Sequence, residues 1–197
     1  AKSLIKHNYI ILSTGGTAKF LSSKKIPNIS ISEFTKFDEI LEGRVKTLHP
    51  IIHAGILAKD KKSIDSLKNS NYSLIDMVVV NLYPFESTIS KINCKYEDAI
   101  ENIDIGGPTM LRAAAKNHSR VTVITDPEDY KDVIKEITTS NQTSMTMRKK
   151  LAIKVFRKIS EYDAMIHHYL VNPENAKKEN LPSKMNITIE KVNNLRY

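Results

Sequence analysis

Apolar and polar positions come in alternating blocks along this chain. "YIILS" at 9–13 is a short apolar run, and "TGGTAKFLSSK" follows it, so the pattern predicts a strand, a Gly-rich turn and a helix. "NISIS" at 28–32 predicts a second short strand. "IDMVVVNLYP" at 75–84 predicts the clearest strand, its unbroken apolar run implying burial on both faces and Pro84 ending it. "IDIGGPTMLRAAAKNH" at 103–118 opens on Gly-Gly-Pro and continues as a helix, with Pro108 suited to the first turn. "RVTVITDP" at 120–127 predicts another buried strand, and "PEDYKDVIKEI" a helix after it. Strands alternating with helices predict an α/β fold, doubly wound around a mainly parallel sheet.

From Thr143 to about Leu170 the period changes. Met147, Leu151, Val155, Ile159, Tyr162, Ile166 and Tyr169 recur at steps of three and four, which predicts one long amphipathic helix. Its stripe packs either on its own sheet or, given the helix's length, against another subunit or domain. The expected organisation is a core over 1–142, an interface helix over 143–171 and a polar linker over 172–197 containing Pro173 and Pro182, with "NITIEKVNNLRY" starting a further strand. The opening "AKSLIKHN" reads as the end of a helix.

Composition narrows the function classes. Cys94 is the only cysteine, which excludes a disulfide framework and suits a reducing, cytoplasmic setting. No apolar run is long enough for a membrane span. The formal charge is +8, but residues 138–197 carry a net +6 of it, six of the cations lying in "RKKLAIKVFRK" at 148–158. Aromatic residues do not interleave with them, so a solvated helix face is expected rather than a specific nucleic-acid site.

The chemistry concentrates elsewhere. "EGRVKTLHPIIHAGIL" at 42–57 gathers Arg44, Lys46, His49 and His53 on what reads as a loop. His49 and His53 have the spacing of two zinc ligands on a helix, but Pro50 between them opposes a helix, so no metal is expected. Arg44 and Lys46 flank Val45 and would face the same way on an extended segment, as a fork and a point cation suited to a phosphate or a polar heterocycle. Ligands of doubly wound sheets sit at the carboxyl ends of the strands. There Thr14, Gly15, Gly16 and Thr17 offer N–H groups and hydroxyls to a phosphate. Asn81 and Tyr83 follow the strand at 75–82, and Asp104 precedes the second Gly-Gly turn. Lys116 lies about 18 Å further along that helix, so the two would meet only across a bend or between subunits. Tyr83 is either a proton donor or a pocket wall.

Several of these segments together carry a resemblance. "LSTGGTAKFL", "EGRVKTLHPIIHAGIL", "VVVNLYPF", "ENIDIGGPTMLRAAAKNHSRVTVITDPEDY" and "LRY" resemble the bifunctional purine-biosynthesis enzymes that combine AICAR transformylase with IMP cyclohydrolase, specifically their N-terminal cyclohydrolase domain. The resemblance implies a methylglyoxal-synthase-like fold, a homodimer, and closure of 5-formamidoimidazole-4-carboxamide ribonucleotide to IMP with loss of water. No metal or organic cofactor is implied for that step, 10-formyltetrahydrofolate serving only the transformylase domain, toward which the linker would lead. It implies substrate binding by Thr14, Gly16, Thr17, Arg44, Thr47, Asn81, Ile105 and Gly106, and catalysis by Lys46, Tyr83, Asp104 and Lys116. Members of the family begin with a further strand and a phosphate-binding turn that this sequence does not show. The same fold also serves as a regulatory nucleotide-binding domain in carbamoyl-phosphate synthetases and as methylglyoxal synthase, but "GRVKTLHP" and "DIGGPTMLRAAAKNH" favour cyclohydrolase chemistry.

Overall fold

A computed structural model describes residues 1–70 and 72–171, together with residue 189. Apart from Ile189, the expected linker over 172–197 and its strand lie outside the described residues. The described chain forms two compact units, one of residues 1–82 and 104–156, the other containing residues 83–103 and the chain from Arg157 onward.

The first unit opens with helix α1 (Lys2–Lys6), then strand β1 (Leu12–Ser13), helix α2 (Gly15–Ser23), strand β2 (Ile29–Ser30) and helix α3 (Ile31–Thr35). β1 and β2 pair in parallel, Leu12 opposite Ile29. The strand expected over 28–32 is therefore cut to two residues. Ser30 becomes the cap of α3, its hydroxyl accepting from the Glu33 amide, and that satisfied amide makes the helix the better continuation for Ile31 and Ser32. Helices α4 (Pro50–Leu57) and α5 (Lys61–Asn69) lead to strand β3 (Met77–Val79). After residue 103 the unit resumes with helix α8 (Gly106–Lys116), strand β4 (Thr122–Ile124), helix α9 (Tyr130–Ser140) and the first part of helix α10 (Met145–Leu170).

β3 and β4 form a second parallel pair, Met77 opposite Thr122 and Val79 opposite Ile124. Pairing between these strands is thus parallel, as the alternation of elements predicts, but among the described residues it falls into two two-stranded sheets. Burial of the 75–84 run is also less complete than expected. Val78 is buried and Val79 is 45% exposed, while β4 is buried along its whole length. The core lies between these strands and their helices, with Ile52 and Ile56 of α4, Leu111 and Ala114 of α8, Val121, Val123, Val133 and Ile137 almost fully enclosed.

Two arginines and a lysine fasten this unit. Arg120 donates through Nε to the Ala58 carbonyl at 2.7 Å, through Nη2 to the Gly55 carbonyl at 2.6 Å, and through Nη1 to Asp76 at 2.8 Å. Arg148 donates to the carbonyls of His118, Ser119 and Thr143, tying α10 to the turn after α8. Lys154 of α10 reaches Asp126 at 2.9 Å and Asp129 at 2.8 Å beyond the end of β4. Burial lowers the affinity of Lys154 for its proton, yet the bonds to the two carboxylates outweigh it and the net shift is upward. A raised lysine pKa contributes stability that is fully present below the ordinary value of about 10.4 and is lost as pH rises through the folded value. Lys154→Met is expected to lower stability by about 1–2 kcal/mol at neutral pH, since it leaves two half-sheltered carboxylates facing each other. The wild-type advantage should shrink only in strongly alkaline buffer. Thermal melts of both proteins across that range check it; equal melting temperatures at neutral pH would show that the bridges hold nothing.

The second unit contains helices α6 (Phe85–Ile89) and α7 (Tyr96–Glu101) and the remainder of α10. Phe85 is buried edge-on against Tyr162 and Tyr169, and Tyr96 stacks on Tyr169. The stripe predicted for the long helix is real. Leu151 and Val155 are buried in the first unit, and Ile159 and Tyr162 in the second. Its centre is therefore covered by the chain's own residues.

Candidate functional site

The segment from Glu39 to His53 contains Arg44, Lys46, His49 and His53, and its local structure departs from a plain loop. Ile40 and Val45 form an antiparallel bridge across a tight reversal. Leu41, Glu42 and Gly43 all take positive φ, at 53°, 56° and 86°. Arg44 is in the right-handed helical region, so the segment is not the extended one on which Arg44 and Lys46 would share a side. Arg44 stays exposed and Lys46 turns half inward. The helix expected to be opposed by Pro50 instead begins there. Proline suits the first helical position because that N–H needs no partner, and His49 caps the helix, its Nδ1 accepting from the Ile51 amide at 3.2 Å. His53 contacts the His49 carbonyl through Nδ1 at 3.3 Å. The pair thus sits on one helix turn after all, yet among the described residues no group of three or more His, Cys, Asp or Glu is placed to hold a metal ion.

Lys46 and Thr47 connect two helix N-termini. The Lys46 ammonium lies at the mouth of α2, 3.4 Å from where a Cβ on Gly15 would stand. Gly15 has a φ of +46°, which glycine adopts without steric penalty. Thr14 caps α2 in extended geometry without a side-chain hydrogen bond, and Gly16 and Thr17 are exposed beside it. The first-turn N–H groups and the positive end of the helix dipole therefore face the same space as the lysine. Thr47 is buried, and its hydroxyl lies 2.5 Å from where a Cβ on Gly106 would be, at the start of α8. Asp104 closes that second mouth, its Oδ1 accepting from the Gly107 amide at 2.8 Å.

The remaining predicted residues are less gathered. Asn81 is exposed, just past the point where the Val80 amide donates to the Ile124 carbonyl. Ile105 is 59% exposed. Tyr83 is half exposed and belongs to the second unit. Lys116 is the last residue of α8 and exposed. Asp104 precedes the first turn of the same helix, so about 18 Å of helix separates the two, and one chain does not bring them together. The residue that sequence reasoning missed is Glu39, whose carboxylate lies 4.0 Å from the Lys46 ammonium. No sequence pattern marks it, because the bridge between Ile40 and Val45 that sets residues 39 and 46 side by side goes with positive-φ backbone at Leu41 and Glu42.

Parallel strands followed by helices define an α/β domain, and in it a lysine stands over a glycine-opened helix mouth. The chain belongs to the MGS-like domain family, which it matches over residues 1–109. Residues 114–197 match the AICARFT/IMPCHase bienzyme family. The chain is 50% identical over its full length to the bifunctional purine biosynthesis protein PurH of Halalkalibacterium halodurans, and 53% identical to that of Caldicellulosiruptor saccharolyticus. It spans 38% of the length of each. A solved structure described as ForH superposes with a TM-score of 0.73 at 30% identity, over 84% of this chain and 88% of that one. Among the described residues no helix is long and apolar enough to cross a membrane.

Proposed function

We propose that this chain is an IMP cyclohydrolase, closing 5-formamidoimidazole-4-carboxamide ribonucleotide to IMP as the last step of purine biosynthesis. The observation that carries the reading is the placement of Lys46 at the mouth of α2 and of Thr47 at the mouth of α8, together with relatives named for purine biosynthesis. The whole protein would also carry the AICAR transformylase, using 10-formyltetrahydrofolate.

Thr14, Gly16, Thr17 and Lys46 would hold the phosphate, with Arg44 at the rim. Asn81, Thr47, Ile105 and Gly106 would line the base. In the reaction the carboxamide nitrogen bonds to the formyl carbon and the carbon–oxygen bond breaks. The carboxamide nitrogen and the formamide nitrogen each give up one proton, and both leave with the formyl oxygen as water. Nothing in that balance calls for a metal or an organic cofactor. Asp104, its carboxylate aimed by the Gly107 amide, is the proposed proton acceptor, and the Gly106 N–H at the α8 mouth is the proposed donor to the developing oxyanion. Tyr83 keeps its proposed role as proton donor on the resemblance alone. Lys116, at the far end of α8, would serve a second copy's site, and the proposal therefore includes a homodimer.

The test is IMP formation from the formylated carboxamide ribonucleotide, followed by ultraviolet absorbance. Asp104→Asn keeps an acceptor for the Gly107 amide and removes the charge. It should lower kcat by about 10²- to 10⁴-fold while IMP binding stays within a few-fold of wild type. Wild-type turnover that survives the substitution would remove Asp104 from the mechanism; no turnover and no IMP binding in wild type would remove the function.

A further inference from the structure

Glu39 has no part in the chemistry above, yet it sits against the cation that the site depends on. Its Oε2 lies 4.0 Å from the Lys46 ammonium, the two side chains being 39% and 23% exposed. The same carboxylate oxygen lies 3.1 Å, and the same ammonium 3.3 Å, from where a Cβ on Gly43 would stand. The positive-φ run at Leu41, Glu42 and Gly43 and the bridge between Ile40 and Val45 set this arrangement, because the bridge places residues 39 and 46 beside each other. The backbone thus presents Lys46 to the mouth of α2 with a carboxylate already at its side.

We propose that Glu39 is a specificity-determining residue for the nucleotide site, an internal counter-anion that holds the Lys46 ammonium when no ligand is bound and competes with the ligand's phosphate for it. This rests on the reading of the α2 mouth as the phosphate cradle. A phosphate reaching that mouth must share Lys46 with Glu39, and like charges so close repel through a half-sheltered medium. Binding is weakened, and in the same measure departure of an anionic product is helped, because the ammonium has an alternative partner to return to. Release of product is a step that often limits turnover. The carboxylate therefore acts on ligands with a charged phosphate and is indifferent to the uncharged nucleoside.

Calorimetric titration of IMP, inosine and inorganic phosphate into wild type, Glu39→Gln and Glu42→Gln tests it at low and high salt. Glu42 is an exposed carboxylate on the same reversal and controls for general charge. Glu39→Gln is expected to tighten IMP and phosphate by about three- to ten-fold, to leave inosine unchanged, and to make IMP binding more salt-dependent. Glu42→Gln is expected to stay within about two-fold for every ligand. Unchanged or weaker IMP binding in Glu39→Gln overturns the proposal, as does an equal gain for inosine, which would mean a loosened loop. Wild type that fails to prefer IMP over inosine overturns the phosphate cradle itself, and Glu39's role falls with it.

Discussion

Lys46→Met is expected to weaken IMP binding by about 10- to 100-fold, with a smaller fall in the maximal rate. The size follows from the bond that is lost. A hydrogen bond to a charged partner is worth about 1.5–3 kcal/mol net, and the ammonium stands where the α2 dipole already concentrates positive potential. Methionine keeps much of the unbranched stem, so the half-buried part of the side chain still packs and the fold is retained. The division between binding and rate carries the information. The resemblance implies a catalytic Lys46, whereas the proposed cradle, with Lys46 beside Gly15, would assign it to the phosphate rather than to the base. A group that binds ground state and transition state alike changes KM and leaves kcat. Steady-state kinetics with the formylated ribonucleotide, joined to IMP titration, separates the two. A large loss of kcat with unchanged IMP affinity would move Lys46 to the oxyanion and leave the cradle to the helix and Thr17.

Arg120→Leu is expected to lower the stability of the chain by about 2–4 kcal/mol. The side chain is 16% exposed, and its guanidinium spans from the carbonyls of Gly55 and Ala58 at the end of α4 to Asp76 before β3. Burial lowers the pKa of this arginine, while its ion pair with Asp76 opposes that shift; an arginine stays protonated throughout the working range. Asn117 also donates to the Ile56 and Ala58 carbonyls, at 2.7 Å and 3.0 Å, and Ile75 to that of Gly55. Those second donors keep the carbonyls from being stranded and hold the loss below that of a fully orphaned network. Asp76 is 62% exposed on its side chain and can turn to water. Urea unfolding measures the difference. A loss under about 0.5 kcal/mol would show that Asn117 and the Ile75 amide suffice to hold the end of α4.

The alternation of strands and helices was legible because parallel strands need helical crossovers, and the blocks at 9–13, 75–84 and 120–127 each contain one strand. Strand length was not legible. An apolar run marks burial, whereas the ladder at 77–79 ends where pairing with 122–124 ends. Two helix starts differ from the expected pattern although their signals are in the sequence. Ser30-Ile31-Ser32-Glu33 has the S-x-x-E pattern of a helix start, and its alternation with isoleucine disguised it as a strand. Pro50 read alone opposes a helix, yet the preceding His49 caps a helix that proline is suited to begin. The site was legible as residue types and not as geometry. Lys46 was evident, but its carboxylate partner depends on left-handed backbone at Leu41 and Glu42, which ordinary residues rarely adopt and no pattern announces.

The two helix mouths joined by Lys46 and Thr47 have a consequence for how such a domain can diversify. On the proposed reading, much of what the α2 mouth offers a ligand is peptide N–H, a donor that every residue except proline supplies alike. Such a site is inherited with the backbone. Descendants can exchange the side chains around it, and with them the reaction, as long as α2 and α8 keep their places and glycine remains where Lys46 and Thr47 approach. On the proposed reading, anion recognition belongs to the backbone, and catalysis to the side chains set around it.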